Sequence, residues 1–355
     1  MRIGLMGLWN AANGPSIHAE LIGRSWVKTG HRLTVFAPTH HPDARPTGQE
    51  DEPFVIRHYA VERVKPFTRA SMFNPAPLLE EDYEVFVAEN VERLPVERLL
   101  EVFPRIREKA ATVMVVHEGN PPQDPLFYKL EWDAITCFDQ RYKEFIQEHF
   151  PKERIHIIPF PCHPMKLGDK GRARRVLNLP QGRPIIFSYG FRVKDILNAV
   201  PEIAPLAERR GLMYLVAVSS REGAEALREA EGRYRFLKVW VKPLPLSELY
   251  THLHASDIHL INRPSLRGRK AVLSSTIHLT LGSGCPILVR ESNLVELHGD
   301  EVVKYRDYEE MREKAEWILD GGFKLENVVR YVEERRADRI AERFINLFRE
   351  LVEKR

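Results

Sequence analysis

His117 closes the apolar run TVMVV and is followed at once by Glu118, Gly119 and the proline-rich NPPQDP. Polar groups on loops beyond strand ends are frequent functional positions, and an imidazole there can transfer a proton or hold a hydroxyl. A lone His also serves purely structural ends, so its place in the fold decides between the two. In SYGFRVKD, Gly190 permits close backbone approach, while Arg192 and Lys194 set two cations at one turn. Arg can grip a phosphate bidentately and Lys acts as a point charge. Cations at a helix start oppose the helix dipole, and a bound anion would relieve that conflict. In NRPSLRGRKAVLSST, Arg263, Arg267, Arg269 and Lys270 crowd a loop that runs into Ser274, Ser275 and Thr276. Hydroxyls and free N–H groups at a helix start suit a phosphate or a sugar hydroxyl. GLWNAANGPSIHAE offers Asn13-Gly14 for a tight turn, with Pro15 and Ser16 at the helix start. Any strand-to-helix turn uses such residues, so turn chemistry and phosphate binding both stay open there, as solvated charge does for the basic stretches.

These turns need alternating strands and helices to hold them. RIGLMGL, RLTVFAP, YEVFVAE, TVMVVHE, AITCF and IHIIPF are apolar runs, and SIHAELIGRSWVKTGH, PVERLLEVFPRIREKA and RYKEFIQEHF have helical spacing. Buried parallel strands read as such continuous runs, and their alternation with helices predicts a doubly wound α/β sheet. PFPCHPMKLGD, 159–169, holds three prolines and breaks the pattern. The alternation restarts with RPIIFSYGF, VKDILNAVPEIAPLAERRG, MYLVAVSS, REGAEALREAE, FLKVWVKPL, LSELYTHLHAS, DIHLINRP and CPILV. Two Rossmann-like units are therefore predicted, residues 1–161 and 165–335. Ile340, Phe344, Leu347, Phe348 and Leu351 form one apolar stripe at helical spacing. That stripe must pack on something, and helix 340–355 is expected to return to the first unit.

At 355 residues the chain exceeds the size of one hydrophobic core, in keeping with two units. A net charge of +3 gives no case for nucleic acid. Its distribution is uneven: residues 1–164 carry 19 Lys and Arg against 23 Asp and Glu, and the remainder 34 against 27. A basic second half suits an anionic ligand such as a phosphate ester. Cys137, Cys162 and Cys285 match no metal-ligand spacing and indicate a reduced, cytoplasmic protein. MRIGLMGLWN reads as a first strand rather than a signal peptide, and no apolar run is long enough to span a bilayer. VERVKPFTRASMF, 61–73, mixes Lys65 and Arg69 with Phe67, Met72 and Phe73. It leaves open a peripheral contact at the inner membrane face, and an irregular strand with solvated charges accounts for it equally.

Taken in order, these stretches resemble the retaining glycosyltransferases of the GT-B fold, the glycosyltransferase family 4-like or group 1 enzymes. NGPSIHAELIGRSWVKTGHRLTVFAP is similar to their opening, and WDAITCFDQRYKEFIQEHFPKERIHIIPFP to the end of their first domain. PLSELYTHLHASDIHLINRPS followed by SGCPILV is similar to their donor-domain core. The resemblance implies two domains facing a central cleft that closes to exclude water, the first on the acceptor side and the second holding the donor. It implies transfer of a hexose from a nucleoside-diphosphate sugar to a sugar, lipid or small-molecule acceptor, with retention and with no cofactor or metal. The lack of a DxD pair agrees with that. His117 then matches a first-domain His near the transferred sugar, and Arg192 and Lys194 the pair on the donor diphosphate. Asn13 and Gly14 match the phosphate-facing loop, and Val241 and Lys242 fall where backbone groups meet the base. Many members carry two glutamates eight positions apart; counting back from Gly284-Cys285-Pro286 puts Ala271 and Leu279 at those places. Ser274-Ser275-Thr276 resembles the hydroxyl-bearing helix start of other subgroups. With both acids absent, two further readings stand beside transfer: a non-catalytic GT-B-like nucleotide-, sugar- or partner-binding protein, and a nucleotide-sugar epimerase on the same fold.

Overall fold

Strands that are apolar on both faces must be covered on both, and the apolar runs of the chain accordingly form parallel sheets between helices. The computed structural model describes the whole chain except residues 45–46, 191 and 220–223. Phe191 of SYGFRVKD, Ser220 of MYLVAVSS and the first three residues of REGAEALREAE thus lie outside the described residues. The chain divides into two units.

The first unit comprises Met1–Pro161, Gly268–Ser275 and Arg335–Arg355. Its strands are β1 (Arg2–Met6), β2 (Arg32–His40), β3 (Val55–Val64), β4 (Phe67–Phe73), β5 (Val85–Glu89), β6 (Ala111–Val115), β7 (Ala134–Cys137) and β8 (Ile155–Ile157). They lie in the order β4-β3-β2-β1-β5-β6-β7-β8, parallel throughout except for β3 against β4. That hairpin takes up the 61–73 stretch. Two of its cations are neutralised within the unit, Arg63 on Asp43 at 2.7 Å and Arg69 on Asp124 at 2.6 Å. No helix among the described residues is long and apolar enough to cross a membrane.

The stripe of the last helix, Ala337–Glu353, buries Ile340, Phe344, Leu347 and Phe348 in the first unit's core. Trp26, on the helix Gly14–Lys28, packs its ring 6.0 Å from Phe344 and 5.5 Å from Phe348 and donates from Nε1 to the Ala341 carbonyl. Gly268–Ser275, which the sequence assigns to the second unit, belongs instead with the first. The amides of Lys270 and Ala271 both donate to the Gly119 carbonyl, at 2.9 and 3.1 Å, and Arg141 Nη2 donates to Val272 O. A Cβ on residue 119 would stand 2.3 Å from the Ala271 carbonyl, so glycine is what lets the segment dock. Long-range backbone pairing of this kind leaves no periodic trace in sequence.

The second unit comprises Cys162–Arg267 and Thr276–Glu334. β9 (Ile185–Gly190), β10 (Met213–Val218), β11 (Leu237–Val241), β12 (Ile258–Ile261), β13 (Ile287–Arg290) and β14 (Val303–Tyr305) form a wholly parallel sheet in the order β11-β10-β9-β12-β13-β14. The three cysteines are buried and carry no disulfide. Strand order reverses between β1 and β5 in the first sheet and between β9 and β12 in the second. Beyond the carboxyl ends of strands at such a reversal, the connections leave in opposite directions and open a crevice for ligands.

Candidate functional site

At the first reversal stands Glu89, the last residue of β5, fully buried. A charged residue there must be hydrogen-bonded to be tolerated. One carboxylate oxygen meets His18 Nδ1 at 2.8 Å and the other meets His117 Nε2 at 2.7 Å. His18 shares the buried face of its helix with Ile22 and Trp26, and His117 follows β6. Phe138, Phe160 and Phe344 ring His18 at 5.2 to 5.8 Å between centroids. Just past the neighbouring strand β1, Gly7 has no side chain, and a Cβ there would lie 2.8 Å from that of Glu89. Burial by itself would push the Glu89 carboxyl up, yet the two imidazoles outweigh it and hold the group well below the usual carboxylate range. Burial also lowers His117, with Glu89 opposing in part. His18, Glu89 and His117 could offer three ligand atoms to a metal ion, all within 4.8 Å of one another. Their hydrogen bonds already use those atoms, and His18 Nε2 has no partner of the kind that orients a metal-bound imidazole.

Next to His117 lies a carboxyl pair. Glu118 is 7% exposed and accepts from the amides of His117 and Glu92. Burial first, and the Glu92 carboxylate second, raise its pKa to about 7. Asn13 caps the helix Gly14–Lys28, its Oδ1 accepting from the Ser16 amide at 3.1 Å. A Cβ on Gly14 would lie 3.5 Å from Ser275 Oγ, so this turn and Ser275 share one corner of the first unit. Ser274 is buried.

At the second reversal, Arg192 is the N-cap of the long helix Val193–Arg210, which has no side-chain cap. Its Nε donates to Asp195 at 2.5 Å, and Lys194 is exposed one residue into the helix. Directly after the adjacent β12, Asn262 Nδ2 donates to the Asp195 carbonyl at 2.7 Å, tying that strand end to the helix start. Arg263 follows directly, with a buried Nε that meets no partner. Burial and the repulsion of Arg192 lower its pKa, with Asp195 opposing. Two guanidiniums and an uncapped helix N-terminus therefore converge, an arrangement that an anion stabilises. Gly190 ends β9 with φ of +129°, and the Thr276 side chain lies near the Tyr189 hydroxyl beside it. Val241 and Lys242 line a cavity of about 690 Å³ with Trp240, Glu248 and Thr251 at the edge strand β11. Lys242 is paired with Glu248. β11 stands two strands from β9, about 10 Å away.

The residues singled out in the sequence thus fall into two sets. Asn13, Gly14, His117, Ser274 and Ser275 belong to the first unit, and Gly190, Arg192, Lys194, Val241, Lys242 and Thr276 to the second. Within the Ser-Ser-Thr run, Ser275 lies against Gly14 and Thr276 beside Tyr189. At the places of the missing acids, Ala271 is 2% exposed in the first unit's core, and Leu279 packs with apolar residues of the second. Sequence reasoning missed His18 and Glu89. Their signals were a polar ring on an apolar helix face and an acid ending a buried run.

No protein-family model matches the chain. Solved structures do match over nearly its whole length. A glycosyltransferase from Rickettsia africae has a TM-score of 0.67 at 11% identity, covering 99% of this chain and 98% of that one. Anabaena HepE, solved with UDP and glucose, has 0.63 at 12% identity, covering 98% and 99%. The pneumococcal O-GlcNAc transferase GtfA, solved with UDP and GlcNAc, has 0.62 at 12% identity, covering 99% of each. The fold of this chain is the GT-B fold, with two mainly parallel sheets.

Proposed function

We propose that this protein is a glycosyltransferase that moves a hexose from a nucleoside-diphosphate sugar to an acceptor hydroxyl with retention of configuration and without a metal ion. The observation that carries the reading is the second unit's uncapped helix start, which Arg192 and Lys194 flank in sequence and beside which the Nε of Arg263 is buried without a partner. The cavity at Val241 and Lys242, about 10 Å across the sheet, suits the base of the same nucleotide. HepE and GtfA were each solved with UDP and a sugar, which makes UDP-sugars the first donors to try.

In this mechanism the bond from the sugar's anomeric carbon to the diphosphate breaks, and its electron pair goes to the phosphate oxygen. The three cations and the helix amides stabilise the charge that develops there. The acceptor oxygen bonds to the anomeric carbon and its proton passes to the leaving phosphate. His117 holds a hydroxyl of the sugar or the acceptor. Ala271 and Leu279, at the places of the missing acids, are built into apolar packing, so under this reading other groups hold the donor. The test is release of UDP from UDP-glucose or UDP-GlcNAc in the presence of an acceptor panel. Turnover that falls sharply, to a measurable residue, in His117→Ala with folding intact supports the reading. Tight nucleotide binding with no turnover of any sugar would favour a binding protein instead.

A further inference from the structure

We propose that Glu89 is the positioning residue of His117: it fixes the imidazole with Nε2 protonated and leaves Nδ1 as the nitrogen offered to a substrate hydroxyl, while His18 holds the carboxylate from its far side. The inference rests on the transferase reading for its consequence and on the trio alone for its geometry. Glu89 presents one oxygen to each ring, at 2.8 and 2.7 Å. An ionised carboxylate only accepts, so the ring nitrogens facing it must both carry hydrogen. Burial lowers the His117 pKa and so favours the neutral ring, and a neutral ring with hydrogen on Nε2 has its lone pair on Nδ1. The ring side chains of His18 and the Glu89 carboxylate have no exposed surface, whereas His117 keeps 7%. His117 is thus the member of the trio that can touch a ligand, and the other two act through it. His18 cannot swing away, because Phe138, Phe160 and Phe344 enclose it, the last supplied by the C-terminal helix. The same logic of a buried carboxylate setting tautomer and orientation operates in hydrolase triads.

The test pairs spectroscopy with kinetics. In protein carrying ¹⁵N-labelled histidine, the His117 ring is expected as the Nε2–H tautomer. In Glu89→Gln, whose amide can accept from one ring and donate to the other, it is expected to become a mixture. With a UDP-sugar donor, Glu89→Gln should lower kcat on the order of 100-fold, with donor KM unchanged. In the His117→Ala background the same substitution should cost nothing more. An Nδ1–H tautomer in the unmodified protein overturns the proposal, as does an equal loss of kcat in both backgrounds. If Glu89→Gln fails to fold, the spectrum of the unmodified protein decides. If no donor turns over, the spectrum still decides, which separates this inference from the transferase reading.

Discussion

Arg263 shows how one side chain can report a ligand. Its Nε is buried without a partner and its nearest charged neighbours are a second arginine and an aspartate already paired to that arginine. Arg263→Ala should weaken UDP binding about 10- to 100-fold, the value of one or two charge-assisted hydrogen bonds, as read by calorimetry. Folding stability should hold or rise, since a repulsion is removed. Glu118 gives the complementary case of an acid. Its folded pKa of about 7 lies above the 4.5 of an ordinary glutamate, so the folded state favours the protonated form. That stabilisation is complete below about pH 4.5 and is lost as pH rises through 7. Glu118→Gln should therefore flatten the fall in unfolding free energy between pH 5 and 8 by on the order of 1–3 kcal/mol, measured by denaturant titration across that range.

Among the elements, the segment Gly268–Ser275 and the last helix decide most. The segment is pinned by two amides on Gly119 O, and Ala271 faces the first unit's core. Ala271→Glu, which writes back one acid of the resembled family, buries a carboxyl without a partner. It should cost on the order of 3 kcal/mol of stability in denaturant melts and bring no gain in turnover. The last helix does more than cover the sheet, because Phe344 packs on both Trp26 and His18. Phe344→Ala should cost about 3–5 kcal/mol in the same melts and lower turnover through the loosened trio.

For the molecule as a whole, the expected signature is ligand-linked stability. A nucleoside diphosphate at a hundred times its Kd should stabilise the folded protein by about 2.7 kcal/mol, seen as a rise in Tm. UDP, GDP and ADP can be ranked this way, and no shift with any of them counts against the nucleotide reading. The sequence by itself determined the α/β class, the alternation of strands and helices, and the buried stripe Ile340-Phe344-Leu347-Phe348. These rest on burial patterns with a period of two to four residues, which neighbouring residues carry without reference to the rest of the chain. It also marked Arg192 and Lys194, since like charges at a helix start are visible locally. Only the tertiary structure decided strand order, and with it the places where that order reverses. Glu89 lies 71 residues from His18 and 28 from His117, and nothing local to any of them requires the others. Arg263 and Arg192 meet because β12 pairs with β9, and Gly268–Ser275 joins the first unit because Gly119 leaves room for a carbonyl. Such contacts are selected by packing and by the need to satisfy buried polar groups, and both are properties of the folded chain rather than of any stretch of it.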